Sequence, residues 1–352
     1  MLYNTLATTS TGTIQVSQIT LGTMTWGEQN TEAEAHAQID MALAHGVNLI
    51  DAAEMYPVPP RPETQGLTEK YLGSWLKKSG KRDQVLIATK ATGPARMAHN
   101  PRHVRGGVTH FDRKGLTDAL NGSLERLQTD YVDLYQLHWP DRSVNCFGQL
   151  NYNHIPDEFT VSIHETLSVL AEFIHAGKIR HIGVSNETPW GLAQFLRIAE
   201  KYDLPRIATI QNPYNLLNRT FEIGHSEFSY REQIGLLAYS PLAFGVLSGK
   251  YLNGARPAAG RLSLFERFTR YTNPQVHVIA GDYIALAQKH GLDPAQMALA
   301  YVNSRPFVTS NIIGATTMAQ LQSNLESINI TLNDTILSEI DTLHKRQPNP
   351  AP

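Results

Sequence analysis

Short apolar runs, rich in β-branched residues, alternate along this chain with longer stretches whose apolar positions recur at helical spacing. Eight such runs stand out, near Ile19 to Leu21, Val47 to Ile50, Val85 to Thr89, Val132 to Leu137, Ile179 to Val184, Ile207 to Ile210, Leu236 to Tyr239 and Asn311 to Ile313. Strands that alternate with helices in this rhythm predict repeated βα units around a parallel sheet, and eight units close a barrel. Between the runs, Thr31-Glu32-Ala33-Glu34 has the form of a capping box ahead of Ile39, Ala42 and Leu43, with Gly46 as the stop. Leu116, Leu120, Leu124 and Leu127 keep helical spacing, as do Leu167, Leu170, Ala171 and Ile174 before Gly177. Each predicted helix lays an apolar stripe on the barrel.

Ahead of the first run, Tyr3 to Ala7 and Ile14 to Val16 flank Gly12 and predict a hairpin that plugs the barrel's amino-terminal end. Three connections are long: 91–112, 139–161 and 240–273. All three follow predicted strands, so they emerge on the carboxyl face, where long loops are usually functional. The expected architecture is therefore an α/β fold, a (β/α)8 TIM barrel over residues 1–352 as one domain, with an amino-terminal hairpin and long loops on its carboxyl face.

The 352 residues are 41% hydrophobic, enough for a large core, and Lys plus Arg (30) nearly balances Asp plus Glu (32). That balance gives no reason to expect nucleic acid or a membrane surface as partner. The opening residues lack an export-signal pattern and no run of 18 apolar residues occurs, so the expected compartment is the cytoplasm. Cys146 is the only cysteine, which excludes an internal disulfide. No metal site is expected from the 14 histidines.

Candidate chemistry sits where the runs stop. Asp51 follows the second run with Tyr56 five positions on, Lys90 follows the third, and His138 follows the fourth. Taken singly, each residue is better read as a strand flank or a packing group. Together, on adjacent strand ends of one barrel, an acid, a phenol, an amine and an imidazole make a proton donor for a carbonyl group. In that reading the Lys90 ammonium lowers the pKa of Tyr56, Asp51 compensates the buried lysine, and His138 holds the carbonyl against the phenol. Reduction needs a hydride that no side chain supplies, so a nicotinamide cofactor is implied. With no Gly-x-Gly-x-x-Gly in the chain, the dinucleotide is expected to lie across the barrel mouth.

The ordered segments Gly22-Thr23-Met24-Thr25, Asp51 to Tyr56, Lys90, His138, Gly183-Val184-Ser185-Asn186 and Ala238-Tyr239-Ser240-Pro241-Leu242 resemble those of aldo-keto reductases. The resemblance implies an NADP(H)-dependent enzyme that reduces small-molecule aldehydes or ketones, with Tyr56 as general acid and Asp51, Lys90 and His138 in support. It implies that Thr23, Met24 and Asp51 border the cofactor, that Ser185, Asn186 and Gln211 hold the carboxamide, and that Tyr239 stacks on the ring. Ser240, Pro241, Leu242, Gly245 and Lys250 would cover the pyrophosphate, and Gly314, Thr316, Gln320 and Asn324 would receive the adenosine end. No Lys or Arg lies between Ile312 and Gln322, so Arg261 is the residue expected to meet a 2'-phosphate.

The same resemblance admits another reading, a nucleotide-binding, redox-sensing regulatory subunit similar to potassium-channel β subunits. An isomerase or hydrolase on the same barrel is a third. Trp26, Tyr56, Trp139 and Phe244 are expected as apolar pocket walls. The basic loop with Arg96, His99, Arg102, His103, Arg105 and His110 reads as a solvated lid rather than an anion trap. Oligomeric state and physiological substrate are not legible.

Overall fold

The computed structural model describes residues 1–9, 12–94 and 102–352. A hairpin of β1 (Tyr3–Thr9) and β2 (Gly12–Ser17) precedes a closed parallel barrel. Its staves are β3 (Ile19–Gly22), β4 (Leu49–Asp51), β5 (Leu86–Ala91), β6 (Val132–Leu137), β7 (Ile179–Ser185), β8 (Ile207–Pro213), β9 (Gly235–Tyr239) and β10 (Val308–Ile313). Each pairs with its sequence neighbour, and β10 closes the ring on β3 with Asn311 opposite Ile19. All eight expected runs are strands of the (β/α)8 barrel, with ends displaced by a few residues: β4 begins at Leu49 and β10 already at Val308.

The helices form where capping and spacing place them. Helix α1 (Glu32–Ala44) opens on the reciprocal Thr31/Glu34 box, and Gly46 leaves it at φ +83. α2 (Leu67–Ser79) ends on Gly80 in the left-handed region. It lies so close to α3 (Arg113–Leu127) that a Cβ on Gly73 would come within 2.3 Å of the Arg126 carbonyl oxygen. Side-chain caps from Asp112, Ser162 and Thr188 start α3, α4 (Ile163–His175) and α5 (Pro189–Tyr202). The main core lies between the strands' outward side chains, such as Ile87, Tyr135, Val184 and Ile210, and helix stripes including Leu72, Leu120, Leu170 and Phe195.

A second, smaller core fills the barrel's lower interior. Leu6 and Val16 of the hairpin pack with Leu49, Ala88, Leu134, Leu237 and Ile312. The expected plug is present, and each such buried aliphatic contributes about 1.5–3 kcal/mol relative to exposure. The chain's last residues also pack rather than trail: Ala351 is buried, its N–H donating to the Leu217 carbonyl, and Asn273 donates to the Pro350 carbonyl. Among the described residues no helix is long and apolar enough to cross a membrane.

Candidate active site

Inward side chains alternate along each strand, so the position two residues beyond a buried apolar group faces the same interior one step higher. Asp51 follows Leu49 in this way, Lys90 follows Ala88, Gln136 follows Leu134, and Tyr239 follows Leu237. Lys90 is fully buried. Its Nζ donates to Asp51 Oδ2 at 2.7 Å and to the Ala52 carbonyl at 2.7 Å, and lies 3.5 Å from the Tyr56 hydroxyl. The other Asp51 oxygen accepts from Gln211 Nε2 at 2.8 Å and Gln136 Nε2 at 3.3 Å. These bonds satisfy a buried ion pair whose desolvation would otherwise outweigh its attraction. Gln136 was not singled out in the sequence, although its position two residues after Leu134 marks it as inward-facing.

The electrostatics differ from the sequence expectation in one respect. Burial, reinforced by the Asp51 charge, pushes the Tyr56 phenol well above its ordinary pKa, and the cation that opposes the rise is Arg261. The Lys90 ammonium, paired with Asp51 and 3.5 Å from the hydroxyl, does not bring the phenol back to its ordinary value. Burial likewise draws Lys90 downward, opposed by Asp51. The phenol therefore keeps its proton at neutral pH. His138, just beyond β6, stands edge-on to Tyr56 with ring centres 5.7 Å apart. Burial and then the Lys90 charge hold its imidazole neutral, well below its usual pKa. Its Nδ1 is buried without a hydrogen-bond partner among the described residues.

A second polar group adjoins the first. Ser185 Oγ donates to the Gln211 carbonyl at 2.8 Å, and Asn186 Nδ2 donates to the His138 carbonyl at 2.9 Å and to Ser185 Oγ at 3.1 Å. The Tyr239 hydroxyl donates to Asn186 Oδ1 at 2.7 Å. Hydroxyl and amide groups so arranged can pair with both ends of a primary carboxamide. The loop after β9 then runs through Ser240 (φ 56), Pro241, Leu242, Ala243 (φ 49), Phe244 (φ 57) and Gly245 (φ 91). Consecutive left-handed residues cost about 1–2 kcal/mol each for non-glycine types, a strain that clusters at ligand sites. Lys250 folds back over Gly245, where a Cβ would meet its Cε at 2.4 Å.

Arg261 opens the short helix 261–264 with its guanidinium 5.4 Å from the Phe244 ring centre and 5.7 Å from that of Phe268. Burial lowers it to about 10, and its charge in turn lowers Lys250, itself drawn down first by burial. Across the mouth, Thr23 Oγ1 donates to the Asp51 carbonyl, and Met24 packs with Tyr56 and Trp139. Gly314 is open above, the Thr316 N–H donates to Gln320 Oε1, and Asn324 Nδ2 donates to the Gly314 carbonyl.

Two expectations about the rim are corrected. Trp26 is not a pocket wall: it is fully buried in the main core with Nε1 donating to Gln38 Oε1 at 2.8 Å. Nor is the basic loop uniformly solvated. The Arg105 side chain is 14% exposed and paired with the buried Glu54, and His110 Nδ1 lies 2.8 Å from Asp141 Oδ1. Arg96 and His99 lie outside the described residues. Trp139 does form a wall, with its indole over Gly93 and Nε1 donating to the Pro94 carbonyl.

Residues 18–345 match the model of the Aldo/keto reductase family. The chain belongs to that family, whose members generally use a nicotinamide cofactor and act on small carbonyl substrates. It is 56% identical to "Protein tas" of Escherichia coli over 339 residues, 96% of this chain and 97% of that protein. An "Aldo-keto reductase" of Babesia bovis is 38% identical across 76% of this chain and 98% of its own length. The L-glyceraldehyde 3-phosphate reductase of Escherichia coli is 30% identical across 90% of this chain and 85% of its own.

Proposed function

We propose that this oxidoreductase reduces aldehydes or ketones to alcohols with NADP(H), with Tyr56 as the proton donor. The observation that carries the reading is the convergence of Tyr56, the Lys90–Asp51 pair and His138 on adjacent strand ends. The family and the strand-end polar groups fit a nicotinamide dinucleotide. Ser185, Asn186 and Gln211 would take its carboxamide, Tyr239 its ring face, and Ser240 to Lys250 its pyrophosphate. Thr23 and Met24 would border it, while Gly314, Thr316, Gln320 and Asn324 would receive the adenosine end. When bound, the nicotinamide supplies the hydride.

The protein's own part is to place and protonate the carbonyl. His138, held neutral by burial, donates to the carbonyl oxygen and sets it beside the Tyr56 hydroxyl. Tyr56 keeps its proton until charge develops on that oxygen, then transfers it. Lys90 steadies the resulting phenolate, and Asp51 keeps the ammonium charged and in place. Arg261 is the cation that supports NADP over NAD, because it stands on the loop after β9 beside Phe244 while the segment 312–322 carries no cation of its own.

Purified protein mixed with NADPH and a panel of activated aldehydes tests this reading, with NADPH consumption followed by absorbance. Turnover that Tyr56→Phe lowers by about 10²–10⁴, and NADPH binding that exceeds NADH binding until Arg261→Ala removes the difference, are the expected results. No turnover across the panel sinks the reading.

A further inference from the structure

Two residues before Tyr56, the loop after β4 buries a carboxylate that the proposed chemistry does not use. Glu54 is 2% exposed, and both of its oxygens are committed. Oε1 accepts from Arg105 Nε at 2.7 Å; Oε2 accepts from the Thr92 N–H at 2.9 Å and from Arg105 Nη2 at 3.3 Å. The guanidinium continues the network, donating to the Thr92 carbonyl at 3.1 Å and the Gly115 carbonyl at 2.9 Å. One arginine thus joins the Tyr56 loop, the end of β5 and the start of α3.

The backbone that delivers Arg105 is costly. Arg105 itself is left-handed at φ 47, followed by Gly106 at 65 and Gly107 at 82. A glycine tolerates that region freely, whereas an arginine occupies it at a cost of about 1–2 kcal/mol unless its surroundings fix it. Here the fork of hydrogen bonds to Glu54 supplies the fixing. Its product is the position of the preceding side chain: Val104 is 1% exposed and packs with Ala53, Met55, Tyr56 and Trp139.

We propose that Glu54 and Arg105 form a latch that holds Val104 as a wall beside Tyr56, making the pair positioning residues for substrate size selection. Resting on the reading of Tyr56 as the reacting group, the proposal adds that the carbonyl substituent is limited by a wall the ion pair holds shut. Relaxing the latch lets Val104 withdraw and admits bulkier carbonyls less selectively, while the Tyr56–Lys90–Asp51 bonds stay as they are.

The test combines a readout that needs no turnover with one that does. Amide hydrogen exchange across 102–115 is measured on the full chain for the native protein, Arg105→Ala, Glu54→Gln, Arg105→Lys and Val104→Ala. Arg105→Ala and Glu54→Gln are expected to speed exchange about tenfold or more over the native protein. Arg105→Lys is expected to rescue only in part, because an ammonium cannot make the forked bond, and Val104→Ala to leave exchange unchanged. Kinetics with NADPH and aldehydes of increasing bulk then follow. In Arg105→Ala and Glu54→Gln the KM ratio of bulkiest to smallest aldehyde is expected to shift about tenfold, more than kcat for the smallest does. Val104→Ala shifts the same ratio.

Unchanged exchange in both Arg105→Ala and Glu54→Gln overturns the latch. Raised exchange with an unmoved KM ratio in all variants overturns its role in selection. If one variant does not fold, Arg105→Lys decides by the same two readouts. A native protein that turns over no carbonyl refutes the proposed function and, with it, the selection role, while exchange still decides whether the latch exists.

Discussion

The two ends of the barrel are built from the same strands and differ by two residues. At the lower level Leu49, Ala88, Leu134 and Leu237 meet the hairpin's Leu6 and Val16 in an apolar cluster. One side-chain step higher, Asp51, Lys90, Gln136 and Tyr239 stand in polar company. The step is about 6.6 Å along a strand. The lower layer adds apolar burial to the main core, and the upper layer takes a buried ion pair at some cost.

The largest effect should come from the upper end. Tyr56→Phe is expected to lower kcat for aldehyde reduction by about 10²–10⁴, the usual span for a general acid, with the melting temperature nearly unchanged. Equal loss of both would place Tyr56 among the packing residues instead. Lys90→Met breaks the comparison differently. It strands the Asp51 charge inside the barrel, and stability measured in urea is expected to fall by about 3–5 kcal/mol, together with activity.

At the lower end, Leu6→Ala is expected to cost about 2–5 kcal/mol of stability while kcat of the folded protein stays near its native value. A large change in kcat would show that the plug and the site are not separable. The smallest effect is on pH dependence. Because the Tyr56 phenol is raised above its ordinary value, the reduction rate at saturating substrate is expected to stay level from pH 7 to about 10. Since His138 is lowered, its neutral form persists below its ordinary value near 6.5, so no step in rate is expected there on acidification. A fall in rate near either ordinary value contradicts the corresponding shift.

Much of this was legible because period and position carry it. All eight staves and the plugging hairpin follow from runs of apolar residues, and Asp51, Lys90 and His138 are marked simply by standing where those runs stop. What stayed hidden depends on contacts between distant segments. Gln136 joins the site through Asp51, 85 positions away, and Glu54 finds Arg105 across 51. In the sequence Arg105 looks like one more loop cation, and only the fold shows its charge to be spent. The Tyr56 shift depends on distant contacts of the same kind. Burial and the Asp51 charge raise the phenol's pKa, and the cation that opposes the rise, Arg261, stands about 200 positions away in the chain.

Ring closure has a further consequence for synthesis of the protein. The seam that completes the barrel joins Ile19 to Asn311, and the Ser310 hydroxyl reaches the Ser17 carbonyl across 293 positions. Until residues 308–313 leave the ribosome, β3 and β9 each present a bare strand edge, a template for pairing with other chains. A nascent chain that stalls in the loop 240–273 already holds Asp51, Lys90 and Gln211, yet has no closed ring to fix them. Release of the last stave and formation of a rigid site are therefore one event, and a chain cut short before it is a hazard rather than a smaller enzyme.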